Sequence, residues 1–179
     1  YLASLPAAGV TVFTIFIAVY KIKIKWSLTN LLFFIGIAGW IIGGLGAVID
    51  ATISNNVVLH NTLWVPAHFH TYNAMGNVLF SIAFFYWFST QFTEKVSVGK
   101  FTRLTLSLLL IGGTGFLLAF YIAGADSIPR RFSNYPPDFP AAGPLATMGA
   151  SFAIVYLLEI LIFSYNISKR CLGILSSPS

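Results

Sequence analysis

The chain has 179 residues, of which 57% are hydrophobic, 16% aromatic and only 8% charged, and it carries a formal net charge of +5. A soluble domain has about 25% charged residues, so this composition excludes an ordinary water-soluble fold. The basic residues lie between apolar spans, which argues against nucleic acid as a partner, and a single cysteine, Cys171, excludes a disulfide framework or cysteine-metal cluster within the chain.

Five apolar stretches are each long enough to cross a bilayer, which takes about 20 residues. They run roughly over 2–20, 27–49, 62–90, 101–123 and 143–168. Runs of this length without period-two alternation exclude a membrane β-barrel. The predicted fold class is therefore an all-α membrane protein with five transmembrane helices embedded in lipid. The chain opens at Tyr1 with no methionine and no charged n-region of a signal peptide. A piece of a longer polypeptide, or one half of a split subunit, is expected.

The first span carries Ser4, Thr11 and Thr14. Hydroxyl side chains on membrane helices mostly bond back to their own backbone or pack between helices; the alternative is a proton-conducting water chain. The second span is crowded by Gly43, Gly44 and Gly46, small residues that permit close helix approach. The third is longer than one crossing needs and should tilt or extend into solvent. Segment 124–144 contains five of the eight prolines and is predicted to be a structured loop. Glu159 lies mid-span in the fifth helix, where ionisable residues are costly and usually functional.

Charge alternates between the connections. Lys21, Lys23 and Lys25 follow the first span, Lys95, Lys100 and Arg103 lie between the third and fourth, and Lys169 and Arg170 follow the fifth. By the positive-inside rule these connections face the cytoplasm, which puts Tyr1 outside and the C-terminus inside. Eight of the ten basic residues obey this assignment; Arg130 and Arg131 do not.

All three histidines, His60, His68 and His70, fall within eleven residues around the start of the third span. Two residues at i, i+2 on a helix point about 200° apart. His68 and His70 therefore cannot easily share one metal, but they can hold two metals on opposite faces of one helix. Neutral imidazole is the usual axial ligand of haem iron, and Phe69 would separate two macrocycles; the competing role is hydrogen bonding between helices. His60 sits at the outer end with Asn61 and Thr62, either of which can cap the helix. It is an ordinary interfacial residue or a partner for an anionic group such as a propionate. Arg130 and Arg131 are a solvated pair, neutralised by Asp126 and Asp138, or a clamp for carboxylates, to which guanidinium forks bind bidentately.

His60-Asn61-Thr62, then Trp64-Val65-Pro66-Ala67-His68-Phe69-His70, then Pro129-Arg130-Arg131-Phe132-Ser133-Asn134-Tyr135-Pro136 resemble subunit I of the haem-copper oxygen reductases, the cytochrome c and quinol oxidases. The likeness runs from Leu5-Pro6 to Met148-Gly149 and covers the last five helices, eight to twelve, of that family's twelve-helix bundle. It implies that His68 is the proximal ligand of the high-spin, oxygen-binding haem (a-type) and His70 an axial ligand of the low-spin haem (a- or b-type). It implies further that Phe69 lies between the haems, and that His60, Arg130 and Arg131 meet haem propionates. The family's active-site copper and the second low-spin ligand need residues that this chain does not contain. The implied partners are the remainder of subunit I, oxidase subunit II and further membrane subunits. Cytochrome c, a copper protein or quinol would donate electrons. The implied location is a prokaryotic plasma membrane.

Three departures stand out. Asn61 replaces the aspartate that helps bind magnesium in the best-known branch, Thr11 aligns with a proton-delivering lysine, and Asn56 replaces an outer acidic residue. With Pro66, these features look more like the B-type branch, in which hydroxyl residues such as Thr11 line the proton path. Nitric oxide reductases of the same superfamily, a non-catalytic haem electron carrier or assembly protein, and a transporter with histidines on a polar path are the alternatives.

Overall fold

The computed structural model describes residues 4–22, 24–92 and 99–175. The elements are α1 (Ser4–Lys21), α2 (Leu28–Ala51), α3 (Ile53–Leu59), α4 (Trp64–His70), a π-helical stretch (Thr71–Asn77), α5 (Val78–Phe92), α6 (Lys100–Ala125) and α7 (Ala142–Leu175). Helices α2, α6 and α7 each contain a segment long and apolar enough to cross a membrane. The run from Trp64 to Phe92 is continuous but changes its hydrogen-bond pattern midway, and the apolar part of α1 is shorter, Gly9–Lys21. Helix α7 continues to Leu175, past the end predicted at 168.

Lipid tails are as apolar as leucine, so membrane helices associate through close packing rather than hydrophobic burial. Helix α2 supplies that packing with Gly36, Gly39, Gly43 and Gly46, spaced three and four apart and all buried. A Cβ on Gly39 would lie 2.5 Å from the Met75 Cβ, and one on Gly43 would lie 3.2 Å from the Tyr72 backbone nitrogen. Gly44 lies at the edge of the contact, near only the Tyr72 hydroxyl. The stripe draws α2 antiparallel against α4 and the π-helical stretch, and α6 in turn packs antiparallel against α7 through Gly112 and Gly115. The main core comprises Leu32, Leu79, Ile82, Leu106, Leu109, Tyr156 and Phe163 among others.

These antiparallel contacts put Lys21, Lys25, Lys100, Arg103, Lys169 and Arg170 at one end of the bundle and His60, Arg130 and Arg131 at the other. The remaining topology markers, Tyr1, Lys23 and Lys95, lie outside the described residues.

At the second end α6 stops in a Schellman motif. The Ile128 N–H donates to the Ala123 carbonyl (3.0 Å), and the Ser127 N–H donates to that of Gly124 (3.1 Å). Ile128 then packs on Ala123 and Ala142 in a small second core. Ser127 occupies the left-handed position at φ 58°, where glycine is the usual residue. Ser127→Gly is expected to stabilise the fold by about 1 kcal/mol, seen as a higher melting temperature of the purified membrane complex; a lower one would contradict it.

Candidate functional site

Trp64–His70 forms a short α-helix that runs into π-helical geometry at Thr71. π-helical turns often accompany functional sites, and the carbonyls in and around this one are met by unusual donors. The Tyr156 hydroxyl donates to the Ala74 carbonyl at 2.6 Å, and the Asn73 side-chain amide donates to the Phe69 carbonyl at 3.1 Å. The packed side of this run is Ala67, Thr71 and Ala74, all buried. Its open side carries Phe69, which is 58% exposed.

The two histidines fall on either side of Phe69. His68 faces α2: a Cβ on Gly46 would lie 2.9 Å from the His68 Cβ and 2.9 Å from the Tyr121 hydroxyl. His70 faces α6, with ring centroids 5.6 Å from both Phe116 and Phe120. The His68 Nδ1 is buried without a hydrogen-bond partner, and among the described residues neither imidazole is hydrogen-bonded. A buried unpaired nitrogen needs an explanation. An imidazole walled by aromatic rings suits a flat macrocycle whose own nitrogens complete the coordination. Among the described residues no three or more His, Cys, Asp or Glu side chains converge as a metal site.

A frame that sequence reasoning missed surrounds His68. The Trp64 indole N–H donates to the Gly46 carbonyl at 3.3 Å, and its ring meets Tyr121 edge-on at 5.0 Å. The Tyr121 and Thr71 hydroxyls lie 3.2 Å apart. Three contacts thus tie α2, α4 and α6 around one imidazole. Gly46 was legible as a close-approach residue but its pairing with His68 was not, and Tyr121 gave no local signal, since aromatic residues occur in every span.

The two outer motifs, some sixty residues apart in sequence, meet directly. Thr62 and Pro129 form an isolated antiparallel bridge, in which the Leu63 N–H donates to the Ile128 carbonyl and the Arg130 N–H to the Asn61 carbonyl, each at 2.9 Å. Gly124 permits this approach: a Cβ there would run into the Trp64 backbone nitrogen. His60 is exposed, and its Nδ1 lies 3.5 Å from the Asn56 side-chain amide, itself bonded to the Asp50 carbonyl. An amide nitrogen only donates, so in this contact Nδ1 is the acceptor. Neither Asn61 nor Thr62 is the N-cap, which is Leu63 with no side-chain cap; Thr62 instead accepts from the Trp64 N–H at 3.2 Å in a local turn, and Asn61 acts through its backbone carbonyl.

Among the described residues Arg130 and Arg131 have no carboxylate partner, so neither Asp126 nor Asp138 neutralises them, and the Arg130 Nε is buried and unpaired. Arg131 sits at φ 71°, a left-handed conformation that costs a non-glycine residue on the order of 1 kcal/mol or more. Two unpaired guanidinium groups, one on strained backbone, form a ready site for anions. Thr11 lies exposed on α1, away from this cluster. Ser4 opens α1, and its side chain lies outside the described structure.

The family model described as "Cytochrome C and Quinol oxidase polypeptide I" matches residues 1–157. The chain belongs to this family. It is 35% identical to cytochrome c oxidase polypeptide 1 of Halobacterium salinarum over 93% of the chain and 28% of that protein. It is 30% identical to cytochrome c oxidase subunit 1 of Thermus thermophilus over 74% of the chain and 25% of that protein. Identity to the Thermostichus vulcanus subunit is also 30%, over 90% of the chain and 30% of the relative. The chain thus spans less than a third of the length of each of these relatives. Family membership and the long apolar helices make this a multi-pass membrane protein of the oxidase type.

Proposed function

We propose that this chain is the haem-holding C-terminal part of a terminal oxidase subunit I, working with the remainder of that subunit, subunit II and further membrane subunits. The carrying observation is the placement of two imidazoles without hydrogen bonds on either side of Phe69, His68 toward α2 and His70 toward α6. His70 would hold a low-spin haem from one side, with a further ligand from outside this chain, and His68 would hold the high-spin haem. Bound there, the haems, together with copper held by residues outside this chain, supply the four-electron reduction of dioxygen to water coupled to proton translocation.

This chain's own residues do the positioning. Gly46 lets the His68 Cβ lie close against α2, Phe116 and Phe120 flank the His70 ring, and Phe69 sets the spacing. His60 and the Arg130–Arg131 pair, held together by the bridge at Thr62 and Pro129, anchor propionate charge at the outer end. The end that gathers six lysines and arginines is cytoplasmic, in a prokaryotic plasma membrane. Protons enter from that side, with Thr11 a relay residue, and Thr11, Asn61 and Pro66 favour the B-type branch. Electrons come from cytochrome c, a copper protein or quinol. Optical spectra of the purified complex test the reading. Two spectrally distinct haems with carbon monoxide binding to one are expected, and a complex devoid of haem refutes it.

Arg131→Gly separates the charge of this residue from its backbone strain. Losing a cation beside the propionates favours the more positive, oxidised iron, so a haem midpoint should fall by tens of millivolts, about 59 mV for each ~1.4 kcal/mol lost. The melting temperature should rise slightly, as for Ser127→Gly, because glycine accepts φ 71° freely. Unchanged potentials in both Arg130→Gln and Arg131→Gly would return the pair to a solvated loop.

A further inference from the structure

At the basic end of the bundle, far from the histidines, α5, α6 and α7 line a partly open cavity of about 160 Å³. One water needs about 15 Å³ of such space, so the cavity takes a polyatomic guest. Its walls carry Tyr86 from α5, Thr102 and Thr105 from α6, and Asn166 and Arg170 from α7, with Phe163 as an apolar floor. Among the described residues no acidic side chain lines it. The Arg170 guanidinium stacks on the Tyr86 ring with its Cζ 5.0 Å from the centroid. That stacking fixes the guanidinium plane and leaves its N–H edges for a ligand. The Arg170 Nη1 is buried and has no hydrogen-bond partner. An unpaired, desolvated donor on a cation is costly, and an anionic partner here would offset that cost.

We propose that this cavity binds a phosphate group, either the phosphodiester of an inner-leaflet lipid or a free phosphate. A guanidinium matches two phosphate oxygens in bidentate fashion, and the Thr102 and Thr105 hydroxyls and the Asn166 amide are donors for the others. Exposed Arg103 and Lys169 on the same end of the bundle add positive potential that draws anions toward it.

The test is hydrogen–deuterium exchange of the intact purified complex, read over residues 163–172. One arm adds inorganic phosphate alone; the other uses nanodiscs of phospholipid against detergent free of phosphate. At ten times Kd, exchange should slow about tenfold in at least one arm. The nanodisc arm alone identifies a lipid headgroup, and the phosphate arm alone a free ion. Arg170→Gln should remove the effect, as should Thr102→Val, which leaves the Arg170–Tyr86 stack intact. Exchange unchanged by both probes, or slowed equally in wild type and both variants, overturns the proposal. So does coupling of Arg170 to Glu94 (outside the described residues) in a double-mutant cycle, since the anion would then be the protein's own.

Discussion

Replacing His68 with alanine is expected to abolish carbon monoxide binding while leaving the low-spin absorption bands largely in place, and replacing His70 should do the reverse. The separation follows from helix geometry. Residues two apart point about 200° from one another, and here they contact different helices, α2 through Gly46 and α6 through Phe116 and Phe120. Loss of one ring therefore leaves the other's packing unchanged. Under the proposed ligation each imidazole would be the one ligand that the described residues supply on its side, so either loss should be near complete. Optical difference spectra of the reduced complex, with and without carbon monoxide, decide it. If His68→Ala instead removes only the low-spin band, the two assignments are exchanged. If neither variant changes the spectra, the histidines are helix-packing residues and the proposed function fails.

Gly124→Val should loosen the whole outer end of the site. Any Cβ at this position lies 2.6 Å from the Trp64 Cα as well as meeting its backbone nitrogen, and a backbone cannot swing aside as a side chain can. Overpacking of this kind costs about 1–3 kcal/mol, and here the upper end applies. The end of α6 must move away from the start of α4, which strains the paired hydrogen bonds Leu63–Ile128 and Arg130–Asn61. Lower haem occupancy and a melting temperature down by several degrees are expected. Gly143→Ala is the control, because a Cβ there meets nothing within 4 Å. Wild-type occupancy and stability in Gly124→Val would show that the close approach is not needed to hold the outer motifs together.

Much of the architecture was legible because membrane helices announce themselves by length and apolarity. The stretches 27–49 and 101–123 anticipate α2 and α6 to within about two residues at each end. The i, i+2 spacing of the histidines likewise carried its own geometry. The interaction of Asn61 with Arg130 was not legible, because it runs through backbone atoms that no residue type signals. The π-helical stretch after His70 was equally hidden. It coincides with hydrogen bonds from Tyr156, on a helix remote in sequence, and from Asn73 to carbonyls in and beside it.

The sequence by itself determined the all-α membrane class, the alternation of charge along the chain and the opposed directions of His68 and His70, since each depends on local periodicity or composition. Tertiary structure alone decided which helix each histidine faces, that the Arg130 backbone joins Asn61 while neither arginine has a carboxylate partner among the described residues, and that Arg170 lines a cavity with an unpaired donor. Those facts depend on how close two backbones come. That distance is set by glycines on one helix meeting particular atoms of another, a pairing that no single stretch of sequence contains.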